Sequence, residues 1–265
     1  MSEKTTPPDP KPAATILLLR DGIAGMEVFM VVRHHQIDFA SGALVFPGGK
    51  ADPQDFDSAL IPFLSGQHDD VDMRAAQVSA IREAFEECGI LLAREQGSAD
   101  MLSGKRLAKL QEFREPMNKG EVGLLDFLQQ QQLQLACDQL VHFAHWITPP
   151  MMPKRFDTHF YLAIAPTDHV ALHDGYESVD SIWIAPDAAV EEAKSGQRTV
   201  IFPTLRNLEK LATATSVEQA LDNAKASNVL PVLPWTEQRE DGHYLCIPVE
   251  AGYAVSEEKM PERGA

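Results

Sequence analysis

Residues 72–90 read DMRAAQVSAIREAFEECGI, and the reading of this stretch decides the fold. Ala75, Ala76, Val78, Ala80, Ile81, Ala84 and Phe85 are helix-compatible and fall on one side at helical spacing. Asp70 or Asp72 can cap the N-terminus, and Gly89 stands where a helix ends. The second half carries Arg82, Glu83, Glu86 and Glu87. Residues three and four apart share a helix face, so the three carboxylates converge and Arg82 can steady Glu86. They repel one another near the negative end of the helix dipole, a cost that a bound cation would remove. Clustered carboxylate oxygens suit Mg²⁺ or Mn²⁺. The plainer alternative is a solvated acidic helix face, common in a chain of net charge −16.

Upstream, Val45-Phe46-Pro47-Gly48-Gly49 is a β-like run broken by a Pro-Gly-Gly turn. Two glycines let the backbone approach a ligand closely, and a free carbonyl there is a further candidate metal ligand. Gly49 followed by Arg82-Glu83-Ala84-Phe85-Glu86-Glu87-Cys88-Gly89-Ile90 resembles the Nudix box. That motif is Gly, five residues, Glu, seven residues, then Arg-Glu-aliphatic-any-Glu-Glu-any-Gly-aliphatic. The second part matches throughout. In the first part Asp55 stands where the family has Glu, and 26 residues separate it from Arg82 where the family has seven, an insertion of 19. The motif leaves the role of Asp55 open. The long insertion is similar to the branch associated with coenzyme A diphosphatases. That branch places an Arg at a strand end, a second Arg, then Gly, three residues and Phe-Pro-Gly-Gly. Arg33, Gly42, Phe46, Pro47, Gly48 and Gly49 match it, and Asp38 falls where the second Arg would be.

The resemblance implies an α+β chain folded as an α/β/α sandwich with a mixed sheet and extra helices. It also implies metal-dependent hydrolysis of a diphosphate. Glu86, Glu87 and the Gly49 carbonyl would be metal ligands, Glu83 a ligand or the general base, and Arg82 the residue that orients them. Glu177, in Asp174-Gly175-Tyr176-Glu177 before a strand carrying Trp183, resembles the loop acid that serves some branches as a further ligand or base. For substrate, coenzyme A or an acyl-coenzyme A comes first, cut to 3′,5′-ADP and (acyl)phosphopantetheine. Another nucleoside diphosphate derivative (ADP-ribose, NADH, a dinucleoside polyphosphate) comes second. A nucleotide-binding regulatory module without turnover is a third reading, against which every specified acid after Arg82 is present. Arg33, Phe46, Gly48, Lys154, Arg155 and Phe156 are candidate substrate contacts: cations for phosphate, and Phe156 or Trp146 for adenine, with core packing as the alternative for the aromatics.

At 265 residues the chain can bury one substantial core. The net charge argues against a nucleic-acid duplex as partner but not against a small phosphorylated substrate. Apolar runs are too short to cross a bilayer and no signal-peptide pattern is present. Cys88, Cys137 and Cys246 are scattered without metal-ligand spacing, which fits a reduced cytoplasm. Nudix relatives are often dimers; no homodimer interface is legible.

In order, 1–12 read as a disordered arm, 13–213 as the hydrolase domain, and 214–265 as a C-terminal helix and extension packed on it. Ala13–Arg20 and Met26–Arg33 predict a hairpin. The insertion 51–72 reads as a loop with one short helix over the site mouth, either a lid or a packing flap. Residues 101–114 and 121–134 read as two helices. Residues 140–148, 155–165 and 178–184 read as strands. His34 and His35 read as polar loop. His142 and His145, three apart, are expected on opposite faces of their strand.

Overall fold

The computed structural model describes residues 7–33, 42–169, 171 and 178–260. β1 (Lys11–Gly22) and β2 (Gly25–Arg33) form the expected hairpin. β1 begins earlier than the sequence suggests. Lys11 already pairs with the strand residue Phe156, and the Pro8 carbonyl accepts a hydrogen bond from Arg155. Two short strands follow, β3 (Leu44–Val45) on β2 and β4 (Gly48–Lys50) antiparallel to β1.

The insertion is a packing element. Two 3-10 turns (Pro53–Phe56 and Ser58–Phe63) lead into β5 (Leu64–Ser65). Leu60 and Leu64 are buried in the main core, and Gln54 accepts a hydrogen bond from Leu124 N. The helix α1 (Val71–Cys88) has Asp70 as its N-cap, accepting from Asp72 N and Met73 N. It ends at Gly89 in the left-handed conformation.

The next segment departs from two plain helices. After β6 (Ala93–Glu95), α2 (Gly104–Leu110) starts at the Ser103 cap and passes through a 3-10 turn into α3 (Arg114–Asn118). Pro116 has no N–H to continue an α-helical ladder, so the path changes there. α4 (Leu124–Gln131) ends where Gln132 takes φ 55°, and β7 (Leu133–Ala136) follows where a helix was expected. β5, β7 and β6 make a small sheet, pinned by Arg94 donating to Asp138 and Ser65.

β8 (Val141–Ile147), β9 (Phe156–Ile164) and β10 (Ser178–Ile184) complete the large sheet with helices α5 (Pro186–Lys194), α6 (Phe202–Leu211) and α7 (Val217–Ala226) behind it. β11 (Pro231–Val232) joins the far edge. The strands run β10-β2-β1-β9-β8-β11, with β3 on β2 and β4 on β1. β1/β9 and β8/β11 are parallel and the other pairs antiparallel, so the sheet is mixed. In β1, Ala14, Ile16 and Leu18 face the core under α1, while Leu17 and Leu19 face the core under α5–α7. Burial on both faces explains the unbroken apolar run. The result is the expected α/β/α sandwich.

The C-terminal segment adds β12 (Trp235–Arg239), β13 (Gly242–Cys246) and β14 (Glu257–Lys259) as a separate antiparallel sheet. Val217, Ala220, Val232, Ile247 and Tyr253 pack into the α5–α7 core. One strand breaks its expected alternation. The β8–β9 register shifts between His142 and Ala144. Phe143 and Ala144 both enter the α5–α7 core, and His142 and His145 come to one side of the sheet.

Candidate active site

The site forms where β4 crosses the C-terminal half of α1. Arg82 is its hub. Nε and Nη2 donate to both oxygens of Asp55 at 3.0 and 2.9 Å, and Nη1 donates to Glu83 and Glu86, each at 2.9 Å. Asp55 is 2% exposed and also accepts from Asp52 N at 2.8 Å. Its open role is thereby answered: it holds Arg82 in a two-pronged pair. The insertion's first 3-10 turn presents it, capped reciprocally by Asp52.

The glycines let β4 lie against the carboxylates. A Cβ on Gly48 (φ +153°) would come within 2.4 Å of the Ala14 carbonyl oxygen. A Cβ on Gly49 would come within 2.6 Å of the Glu83 carboxylate. Gly48 N–H donates to Glu87 Oε2 at 3.0 Å. Thus Glu83 and Glu86 meet on Arg82 while Glu87 reaches the Pro-Gly-Gly turn, and all three line one cavity with Gly48 and Gly49.

Charge is out of balance here. Burial raises the Glu83 pKa to about 7, against the pull of Arg82 and with the push of Glu86. Burial likewise raises Glu86. Burial works against the Arg82 charge too, but Asp55, Glu83 and Glu86 outweigh it and hold the guanidinium above its ordinary value. Asp55, Glu83 and Glu86 offer three carboxylates to this one guanidinium, and Glu87 adds a fourth to the same cavity wall. The donor set therefore fits a hard divalent cation, which would restore charge balance and favour the ionised glutamates.

The cavity, about 1390 Å³, runs on across the α5–α7 face of the sheet. Arg33, Phe46 and Phe156, three of the candidate substrate contacts, line it. Lys154 and Arg155 are not among its lining residues. Arg155 instead donates to the carbonyls of Thr148 and Pro8, tying the start of β1 to the β8–β9 connection. Trp146 lines the cavity but is 4% exposed, its indole N–H donating to Tyr253 and its ring packed edge-on against Tyr253 and Phe202. This is the core-packing alternative for that aromatic. Glu177, His34, His35 and Asp38 lie outside the described residues.

Several lining residues had no signal in the sequence reading. Lys50 and Asp52 flank the carboxylates. His243, Leu245, Lys259 and Met260 arrive from the C-terminal sheet. No local pattern marks the last four, because tertiary packing alone brings residues so distant in the chain to this wall.

A family model describing the NUDT19 Nudix domain matches residues 65–211, more than half of the chain. The chain belongs to that family. It is a Nudix pyrophosphohydrolase. Acyl-coenzyme A diphosphatase NUDT19 of Xenopus laevis is 24% identical, over 84% of this chain and 70% of that protein. The NUDT19 protein of Gallus gallus is 28% identical over 68% of this chain and 52% of its own length. Putative nudix hydrolase 7 of Caenorhabditis elegans is 26% identical over 70% and 55%. The chain thus spans little more than half the length of the last two. A crystal structure of a NUDIX hydrolase from Alicyclobacillus acidocaldarius, 28% identical, superposes with a TM-score of 0.67 over 83% of this chain and 99% of that one. Among the described residues no helix is long and apolar enough to cross a membrane.

Proposed function

We propose that the protein hydrolyses the diphosphate of coenzyme A or acyl-coenzyme A, giving 3′,5′-ADP and 4′-phosphopantetheine or its acyl ester. The carrying observation is the mixed lining of the cavity. The carboxylates and the cations Arg33, Lys50 and Lys259 line it together with Ile147, Met151, Met152, Phe202, Leu245 and Met260. A sugar nucleotide or dinucleotide has no part that needs such an apolar, methionine-rich wall. A pantetheine arm with an acyl chain does. The kinship with acyl-coenzyme A diphosphatases supports the same substrate.

In this reading Glu83, Glu86, Glu87 and the Gly49 carbonyl hold Mg²⁺ or Mn²⁺. When bound, the cation neutralises charge on the diphosphate and lowers the pKa of water. Glu83, in its ionised form beside the cation, would accept the proton of the attacking water. Arg82, locked by Asp55, keeps Glu83 and Glu86 aimed together. Arg33 and Lys50 bind phosphate oxygens, and Phe156 offers a ring to the adenine. Water adds to one phosphorus, one P–O bond of the anhydride breaks, and two phosphate monoesters and a proton leave.

The test is product analysis. Incubation of coenzyme A and a medium-chain acyl-coenzyme A with the protein and Mn²⁺ should give both named products by mass spectrometry. Glu86→Gln should abolish them. Intact coenzyme A compounds after long incubation with folded, metal-loaded protein would refute the substrate.

A further inference from the structure

The sheet face turned toward the start of α1 carries a cluster that the carboxylate site does not use. His145 stands directly opposite His159 in the β8–β9 register, and Ile147 opposite Asp157. The His145 and His159 rings stack with centroids 4.1 Å apart, and His145 Nε2 contacts Asp157 Oδ1. Ligand atoms of His145, Asp157 and His159 lie within 4.8 Å of one another. The bulge brings His142 beside them, its Nε2 3.0 Å from His159 Nδ1. Trp146, Thr158 and Phe160, which alternate with these residues, line the substrate cavity on the opposite face. The strands therefore stand between the histidine cluster and this part of the cavity.

We propose that His145, Asp157 and His159 form a second metal site, structural in role, for a borderline cation of the zinc type. Two imidazoles and one carboxylate are a zinc-like donor set. With only one oxygen donor, the set suits neither Mg²⁺ nor Ca²⁺. His142 supplies the orienting partner that a ligating histidine needs. With the proton on His159 Nδ1 donated to His142 Nε2, the Nε2 lone pair of His159 is free for metal. Burial, then His145, lowers the His159 pKa to about 4 against the pull of Asp157 and Asp70. Burial, then His159 and His145, lowers His142 to about 4. Zinc–nitrogen bonds are about 2.0–2.1 Å, so the ligand atoms must draw together. The His145 and His159 rings would turn out of their stack to bring these atoms onto the cation.

The site's place suggests what a bound cation would do. The His145 and Asp157 side chains are 18% and 36% exposed, leaving an entry path from solvent. Nearby, Tyr161 of β9 donates to the Met73 carbonyl in the first turn of α1. A cation would clamp β8 to β9 beneath the start of the helix that carries the carboxylates. It would stabilise that frame and take no part in hydrolysis.

The test uses the full chain, with zinc alone as the probe and calorimetry, melting temperature and Co²⁺ absorption as readouts. Glu86→Gln/Glu87→Gln removes most of the carboxylate site, so residual binding reports the second one. We expect one equivalent of Zn²⁺ to bind this variant, raise its melting temperature and resist competition by excess Mg²⁺. Co²⁺ should give the visible bands of nitrogen ligation. Asp157→Asn and His159→Gln should each weaken zinc binding at least about tenfold. Should His159→Gln fail to fold, Asp157→Asn on the exposed rim decides alone. Zinc affinity unchanged by Asp157→Asn, zinc uptake that vanishes with the α1 carboxylates, or folded protein that takes up no zinc would each overturn the proposal.

Discussion

The α1 carboxylates and the β8–β9 histidines are two separate polar clusters, and they solve burial in different ways. Around Arg82, three carboxylates share one buried guanidinium, with Glu87 close by on the Gly48 N–H, and negative charge is left over. Around His159, the groups hydrogen-bond and stack, and burial keeps two imidazoles neutral. The first arrangement is costly and needs a cation or bound substrate to justify it. The second is stable as it stands. Excess buried charge is therefore the better pointer to chemistry, and satisfied imidazoles the better pointer to structure.

Substitutions can break this contrast. The largest effect expected is on turnover. Glu86→Gln should lower kcat by about 10²–10⁴-fold, taking the usual size of a proton-transfer contribution as a guide, whereas His145→Gln should leave kcat within about twofold under steady-state assay. Equal losses in both would erase the distinction.

Next comes stability. Arg82→Met leaves Asp55 buried without its partner and should cost about 3–5 kcal/mol in denaturant unfolding. Asp55→Asn should cost less, because a neutral amide can still accept from Arg82 and Asp52. The insertion packs into the core beneath α1. Leu60→Ala, 1% exposed beside α4, should cost about 2–5 kcal/mol. If the insertion were a lid, the same change would alter KM and leave stability intact.

The smallest effect lies outside both clusters. Arg94 holds the Asp138 carboxyl well below its ordinary value of 3.8, chiefly by direct hydrogen bonding. Its stabilisation is therefore present above about pH 4 and lost as pH falls below that value, toward the lowered folded-state pKa. Asp138 is partly exposed and water screens the pair, so Arg94→Met should cost only about 0.5–1 kcal/mol at neutral pH. Melting curves should show that difference shrinking below pH 4 with kcat unchanged.

How much was legible follows from sequence distance. The α1 helix, its Asp70 cap, its Gly89 end and the convergence of Glu83 and Glu86 are all local, and helical spacing displays them. The sandwich and its mixed sheet came with the family resemblance. Asp55 was visible as a departure from the motif, yet its bond to Arg82 crosses the insertion and only the folded chain displays it. The histidines misled for a physical reason. Alternation puts His142 and His145 on opposite faces, and one bulged residue, invisible to periodicity, reverses that. Leu245, Lys259 and Met260 reach the cavity through a small sheet that no nearby residue announces. Lys154 and Arg155 have the right chemistry for phosphate, but backbone carbonyls of Thr148 and Pro8 claim Arg155.

The most direct measurement is a competition in one vessel. Octanoyl-coenzyme A, coenzyme A, ADP-ribose, NADH and a dinucleoside polyphosphate would be mixed at equal concentration with Mn²⁺, and each followed by mass spectrometry beside Glu86→Gln. The account predicts that the two coenzyme A compounds disappear first, yielding 3′,5′-ADP, with no loss of any compound in the variant. Preferential loss of ADP-ribose, NADH or the dinucleotide would keep the carboxylate site and contradict the substrate. Turnover that persists in Glu86→Gln would contradict the site itself.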